Sequence, residues 1–200
     1  MLHTATTMIL GLLVSNSPAK KADAKVLPLA MVESYQNACS EHYLLMASAQ
    51  TAALRGAADC WGQHIRLANT VDLQHAAHMA IIAALVSGLG GAMWRRHLEH
   101  QLGSCESARN VLTKTACDYT LWAPFANSAY IVGLPLLAGA SPDAALGSLP
   151  SNLPSAMGIE AVVFGPYNIF AFARIPLAMR PITEALLSVI FTVSIGFLGL

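Results

Sequence analysis

Two long stretches of the chain contain no Asp, Glu, Lys or Arg, and they constrain the fold more than any other feature. They run from Ala76 to Met93 and from Tyr119 to Ala140. A helix rises about 1.5 Å per residue, so about 20 apolar residues cross the hydrocarbon core of a membrane. Neither stretch carries the polar stripe expected of a surface helix in a soluble bundle. Both are therefore predicted to be membrane-spanning helices.

Three further apolar stretches, interrupted by charged residues or prolines, set the number of spans. They are residues 43–62, 158–179 and 182–200. The last two meet at Pro176 and Pro181, which fit either two spans or one span followed by a helix lying in the membrane interface. The sequence predicts an all-α fold, an integral membrane helical bundle with four to five spanning or interfacial helices.

The composition agrees with this fold class and excludes several others. Of 200 residues, 55% are hydrophobic and only 11% are charged, whereas about 25% are charged in an ordinary soluble domain. Eleven basic residues balance eleven acidic ones, so no nucleic-acid partner is predicted. The four cysteines lack both a C-x-x-C pair and the regular spacing of a disulfide framework, which excludes a zinc ribbon and a stapled secreted domain.

The N-terminal residues are predicted to be separate from the bundle. Their apolar run, Met8–Val14, is too short to span a bilayer and is followed by three lysines. It resembles the hydrophobic region of a targeting signal more than a mitochondrial presequence, because it contains no arginine. The chain is therefore divided into a targeting or disordered leader, residues 1–34, and a membrane helical bundle, residues 35–200.

Basic residues are distributed unequally between the connections, and this predicts an orientation. The connections 63–75 and 141–157 hold only Arg66, whereas the connection 94–115 and the stretch 174–180 hold six basic residues. Basic residues concentrate on the cytoplasmic or matrix side of a membrane. The N-terminus, residues 94–115 and residues 174–180 are therefore expected to share that side.

Small residues recur at four-residue intervals in the first uncharged stretch. Ala80, Ala84, Gly88 and Ala92 lie on one face of the predicted helix. Small side chains let helix backbones approach closely in lipid, where burial of apolar groups does not drive association. This face is expected to contact a neighbouring helix.

Charged and amide side chains at membrane depth are the candidate functional residues. Asp59 and Gln63 lie four residues apart on one helical face, and Lys114 and Asp118 repeat that spacing. A charge in hydrocarbon costs several kcal/mol, so such groups face the bundle interior, a partner or water. One hypothesis is a polar pathway, in which a continuous cavity reaches both aspartates. The alternative is satisfied ion pairs, Asp118 with Lys114 or Asp59 with Arg55.

The two aspartates are not expected to be equivalent. Asp118 lies at the start of an otherwise uncharged span, with Lys114 one turn earlier. Asp59 lies in a stretch that Arg55 already interrupts. Asp59 can relax more easily toward water or toward that arginine. Substitution of Asp118 is therefore predicted to have the larger effect.

Histidines at both ends of the first uncharged stretch are candidate metal ligands. His75 and His78 precede it, and His97, Glu99 and His100 follow it. Imidazoles on one helical turn can share a cation, but interfacial histidines that bond to headgroups or water are commoner, so no metal and no cofactor are predicted. An enzyme is the least favoured class, because the chain has no Walker loop, H-E-x-x-H, G-x-S-x-G or dinucleotide fingerprint.

Polar residues and prolines form blocks that follow one another along the apolar part of the chain. The first block has Tyr35, then Asp59 after an alanine, and then Gln63 four positions later. The remaining blocks are residues 72–95, the set Lys114, Asp118, Tyr119 and Pro124, and the set Phe172, Pro176 and Arg180.

In this order the blocks resemble those of the Mpv-seventeen family, which includes the twenty-two-kilodalton peroxisomal membrane protein. That family shows a Tyr before a Gly-Asp pair and a Gln, a Lys-x-x-x-Asp-Gln element with a downstream Pro, and a Pro-x-x-x-Arg element. The chain departs from the pattern at Ala58, where Gly is usual, and at Tyr119, where Gln is usual. The resemblance runs from about Tyr35 to Phe191.

The resemblance implies an organelle-membrane protein, of the mitochondrial inner membrane in the first place and of the peroxisomal membrane as the alternative. Members of the family look like weakly selective pores for small solutes and are linked to metabolite and redox balance. The expected partners are the lipid bilayer and small solutes, with homo-oligomer formation left open, and the alternative function is a non-conducting membrane scaffold. The residues assigned to the pore or the buried polar interior are Asp59, Gln63, Lys114, Asp118 and Arg180, and those assigned to helix packing are Ala84, Gly88, Ala92, Pro124 and Pro176.

Overall fold

A computed structural model describes residues 29–67, 70–103 and 107–198, and these ranges are helical without any strand. The predicted all-α fold is confirmed for them. The chain divides into two units, Met1–Tyr35 and Gln36–Leu200, and the packing below concerns the second. Most of the expected leader, residues 1–34, lies outside the described residues, although a helix already begins at Leu29.

The helices follow one another with short connections. Where two apolar stretches were expected to break near Pro176, one helix ends at Arg174 and the next begins at Arg180, with a short 3-10 turn between them. The helices are α1 (Leu29–Glu41), α2 (Tyr43–Leu67), α3 (Leu73–Ala83), α4 (Gly91–Leu102), α5 (Ala108–Cys117), α6 (Ala123–Leu137), α7 (Pro142–Gly147), α8 (Leu149–Arg174) and α9 (Arg180–Leu198).

Two of the connections are π-helical segments that keep the chain helical. Ala84–Gly90 joins α3 to α4, which makes one continuous helix of 30 residues, Leu73–Leu102. Asp118–Trp122 joins α5 to α6 in the same way. A π-helical turn shifts the face that the following residues present, and such turns are frequent at functional sites.

Side-chain caps fix where several helices begin. The carboxylate of Asp72 accepts hydrogen bonds from the backbone N–H groups of Gln74 and His75 at 2.9 and 3.0 Å, which starts α3. The hydroxyls of Ser107 and Ser141 cap α5 and α7 in the same manner. Each cap satisfies backbone donors that the first turn of a helix leaves free.

Helix α2 lies against α9, α3 and the first π-helical segment, and α8 lies against α5 and α6. The contact of α2 with the π-helical segment is close at Gly88, where a Cβ atom would lie 2.6 Å from Cα of Ser48. Ala92 is fully buried against Tyr43 and Ala47. Only glycine therefore fits at residue 88 without a shift of the two backbones.

The other residues assigned to helix packing are placed differently from one another. Ala84 and Pro124 are half-buried, and Pro124 lies in the first turn of α6, where its missing N–H costs nothing. Pro176 is exposed. It lies between the end of α8 and the start of α9, and its role in helix packing stays a prediction.

Among the described residues, two helices are long and apolar enough to cross a membrane, judged by length and composition. They are Leu73–Leu102 and Leu149–Arg174. The stretch 119–140, which was expected to span, is not one of them. The most apolar windows of the two helices are only 33% and 17% buried.

Candidate functional site

Charged side chains lie inside the bundle while large apolar side chains lie on its outside. Lys114, the largest of the fully buried side chains, is only 2% exposed. Along the continuous helix Leu73–Leu102, by contrast, the residues at four-residue intervals from Ile81 to Met93 are 37–59% exposed. The buried polar and charged residues are Thr51, Asp59, Arg95, Lys114, Asp118, Arg180 and Ser188.

One group of buried charges is centred on the carboxylate of Glu99 in α4. The ammonium group of Lys114 in α5 lies 2.7 Å from it, and the guanidinium of Arg180 in α9 donates to its other oxygen. Arg180 also donates from Nε to the carbonyl of Ile175 at 2.9 Å and lies over the ring of Phe172. One carboxylate therefore holds two cations and ties three helices together.

In the structure Lys114 pairs with Glu99 and not with Asp118, the partner expected from the sequence. Its ammonium binds Glu99, and the ion pair of Lys114 with Asp118 is not formed. The four-residue spacing places the two residues on one face of a straight helix. The side chain of Lys114 instead reaches across to α4, where Glu99 offers a carboxylate shared with Arg180.

The carboxylate of Asp118 is held by neutral donors from two other helices. It accepts a hydrogen bond from Trp94 Nε1 at 3.0 Å and from Asn168 Nδ2 at 2.7 Å. The nearby guanidinium of Arg95 forms its ion pair with Glu184 of α9. Asp118 thus stays buried without a cation bonded to it within the described ranges.

Asp59 belongs to a different group, at the connection between α2 and α3. Its carboxylate accepts from Gln63 Nε2 at 2.6 Å and lies 2.9 Å from His75 Nδ1. Gln63 also accepts from the backbone N–H of Asp72 at 2.6 Å. The expected alternative pair of Asp59 with Arg55 is not formed, because the guanidinium of Arg55 lies over the ring of Tyr130.

A partly enclosed cavity of about 290 Å³ lies between the helices, on the side of Asp118. Both π-helical segments contribute to its wall, the first through Ser87 and the second through Asp118 and Trp122. Further polar residues of the wall are Arg55, Asn127, Tyr130, Glu160, Asn168 and Glu184.

Of the residues assigned to a pore, Asp118 alone lines this cavity. Gln63 and Asp59 are bonded to each other near the α2–α3 connection, and Lys114 and Arg180 are bonded to Glu99. The polar interior is therefore divided into separate groups, and the cavity does not include Asp59.

The charges of the cavity wall are incompletely matched. Glu160 accepts one long hydrogen bond, 3.4 Å, from Asn127 Nδ2. Nε of Arg55 is buried without a hydrogen-bond partner, and its guanidinium forms no ion pair within the described part of the chain. Tyr130, over which Arg55 lies, shares a 2.8 Å hydrogen bond with Ser87.

Sequence reasoning did not assign Glu160, Arg55 or the two asparagines to a site. A signal was present, because Glu160 and Arg55 are isolated charges in apolar stretches. Their convergence on one cavity depends on how α2, α6 and α8 pack, and the spacing within a single helix carries no information on that.

The histidines do not converge. In ranges 29–67, 70–103 and 107–198, no group of three or more His, Cys, Asp or Glu side chains could hold a metal ion. His75 binds Asp59, and the ring of His97 stacks on Trp94 with 6.1 Å between centroids. Glu99, between two histidines in sequence, binds Lys114 and Arg180 instead.

No protein-family model matches the chain, and no solved structure matches it. The distribution of charge, the cavity and the residues that line it are therefore the basis for its function.

Proposed function

We propose that the chain is an integral membrane helical bundle of an organelle membrane. The observation that carries this proposal is the inverted distribution of polarity, with charges buried inside and apolar side chains exposed. Leu85 is 59% exposed and Val162 is 75% exposed, whereas Asp118 and Arg95 are 5% and 6% exposed. Exposed apolar surface is unfavourable in water and favourable against lipid, while charges in membranes face the bundle interior.

The low burial of the two most apolar helices supports the same proposal. The central helix of a soluble protein is apolar because it is covered by its neighbours, and most of its residues are buried. In Leu149–Arg174 only 17% of the most apolar window is buried, and in Leu73–Leu102 only 33%. Lipid is the environment that such a surface fits.

Within the membrane, the proposed function is a weakly selective pore for small solutes with the cavity at its centre. Asp118 and Glu160 place two carboxylates on the cavity wall, and neither forms an ion pair with a cation in the described residues. Rings and pairs of carboxylates favour cations in channels. The resemblance to the Mpv-seventeen family supports the pore and the mitochondrial inner or peroxisomal membrane, with a role in metabolite and redox balance.

The second candidate is a non-conducting membrane scaffold, and one observation favours it. The cavity is lined by Asp118 but not by Asp59, so it does not join the two aspartates as a continuous polar pathway would. The charges of the Glu99 group, which lie outside the cavity, are bonded to each other. A pore with this geometry is closed and must open by movement of the helices around the cavity.

Reconstitution decides between the two functions. Purified full-length protein is inserted into planar bilayers, and single-channel currents are recorded for the parent, for Asp118→Asn and for the exposed control Asp143→Asn. A pore gives discrete conductance steps whose preference for cations falls in Asp118→Asn and not in the control. Absence of conductance from folded, monodisperse protein contradicts the pore and supports the scaffold.

A further inference from the structure

The cavity wall carries charges of both signs that are not paired with each other. Arg55 lies on α2, Glu160 lies on α8, and Asp118 begins the second π-helical segment. We propose that this cavity binds a small zwitterion, whose anionic group contacts Arg55 and whose ammonium group contacts Glu160 and Asp118. This inference rests on the proposed function, because it names the class of solute for the same cavity.

Arg55 is held in position, and none of the described residues supplies it with an anion. Its guanidinium lies 5.5 Å from the centroid of the Tyr130 ring, and the hydrogen bond between the hydroxyls of Tyr130 and Ser87 fixes that ring. Stacking uses the face of the guanidinium and leaves the N–H groups at its edge to bind a planar anion in two places. The buried Nε without a partner is such a group.

The carboxylates offer the complementary half of the site. Asp118 accepts from Trp94 and Asn168, and Glu160 accepts from Asn127, so all their bonded donors are neutral. A buried carboxylate bonded only to neutral groups has no counter-charge in direct contact with it. An ammonium group supplies the missing charge together with three hydrogen-bond donors.

Other ligands fit the wall less well. A metal ion lacks a set of three converging ligands in the described ranges. A simple anion is repelled by the carboxylates, and a simple cation leaves the guanidinium of Arg55 without an anion. The volume of about 290 Å³ lies just below the range of drug-sized ligand sites, which are about 300–1,000 Å³, so an amino acid or a molecule of similar size fits.

The first test compares zwitterions with their single-charge analogues on the parent protein. Full-length protein in phosphatidylcholine nanodiscs is titrated calorimetrically with β-alanine, 4-aminobutyrate, butylamine and butyrate. Loss of one charged contact corresponds to about tenfold or more in Kd, so one of the two zwitterions should bind at least about tenfold more tightly than butylamine and butyrate. The proposal is overturned if butylamine binds as tightly as the better zwitterion, or if none of the four compounds binds.

Matched variants then locate the contacts. Arg55→Gln should abolish the preference for the zwitterion over butylamine. Glu160→Gln should weaken binding of the zwitterion and of butylamine, because both carry an ammonium group. The controls Arg109→Gln and Asp143→Asn remove the same charges from exposed positions and should leave all affinities unchanged. Each variant is checked by circular dichroism and melting temperature. A folded Arg55→Gln protein that keeps the preference overturns the assignment.

The same anion and ammonium chemistry occurs in a phosphatidylethanolamine headgroup. Nanodiscs with part of the phosphatidylcholine replaced by this lipid distinguish the sources, because a headgroup in the cavity competes with the free zwitterion and a soluble solute site is unaffected. Conductance of the same preparation separates this inference from the pore. Conducting protein that does not discriminate between the probes overturns the zwitterion site alone, and zwitterion binding without conductance supports the site and overturns the pore.

Discussion

Asp59 and Asp118 are buried to nearly the same extent, 8% and 5% exposed, yet they are bonded in different ways. The partners of Asp59, Gln63 and His75, lie within 16 residues of it in sequence and belong to the α2–α3 connection. The partners of Asp118 lie 24 and 50 residues away, on two other helices. Burial alone thus does not distinguish a carboxylate that orders a connection from one that lies on a cavity wall.

Substitution of Glu99 should lower the free energy of unfolding more than substitution of either aspartate. Glu99→Gln removes the counter-charge that the buried Lys114 and Arg180 share, and such a loss costs about 3–5 kcal/mol in comparable cases. The free energy of unfolding is measured by denaturant titration in detergent. The double variant Glu99→Gln with Lys114→Met should recover part of the loss, because one unpaired cation is then removed. A neutral result for Glu99→Gln would show that this group is solvated rather than buried.

Asp118→Asn should have an intermediate effect. Trp94 can still donate to the amide oxygen, but the amide N–H₂ faces the donor of Asn168, and a lost charge-assisted hydrogen bond costs about 1.5–3 kcal/mol. The contact between the second π-helical segment and α8 should loosen. Thermal unfolding of the variant and of the exposed control Asp143→Asn measures this. Equal melting temperatures would contradict the role given to Asp118.

Asp59→Asn should have the smallest effect of the three substitutions. The ring of His75 is 46% exposed, so water can replace its contact, and a neutral amide at residue 59 can still accept from Gln63 or His75. The expected loss is about 0.5–1.5 kcal/mol. Hydrogen exchange should rise in the first turn of α3 and not around the cavity. If Asp59→Asn lowers the free energy of unfolding more than Asp118→Asn does, the predicted order of the two aspartates is wrong.

The sequence predicts the helices and the polar interior, but it does not predict which charges pair. Uncharged stretches mark the continuous helix that contains Ala84 and Gly88, and Pro176 marks the end of α8. The partner of Lys114 could not be predicted, because regular spacing identifies neighbours on one helix and Glu99 approaches from another. The π-helical segments also escape prediction, since they change which face the later residues present.

The predicted number of membrane spans differs from the number of helices that are long and apolar enough to cross a membrane, and the reason is related. Four or five were expected, and two helices meet the criterion of length and composition among the described residues. In the second uncharged stretch, Asn127 and Tyr130 line the cavity, and both polar side chains lower the hydropathy of that stretch. Hydropathy counts such residues against a span wherever they point. The four-to-five-span bundle stays a prediction.

Lipid exposure of the outer surface tests the central claim most directly. Spin labels are attached to cysteines introduced at Leu85 and Val162, and at Asp143 as a control, after replacement of the native cysteines, and the protein is placed in liposomes. Collision rates are measured with oxygen, which concentrates in the bilayer, and with a water-soluble nickel complex. We predict that labels at residues 85 and 162 collide mainly with oxygen and the label at residue 143 mainly with the nickel complex. Ready access of the nickel complex to residues 85 and 162 would contradict a membrane-spanning bundle.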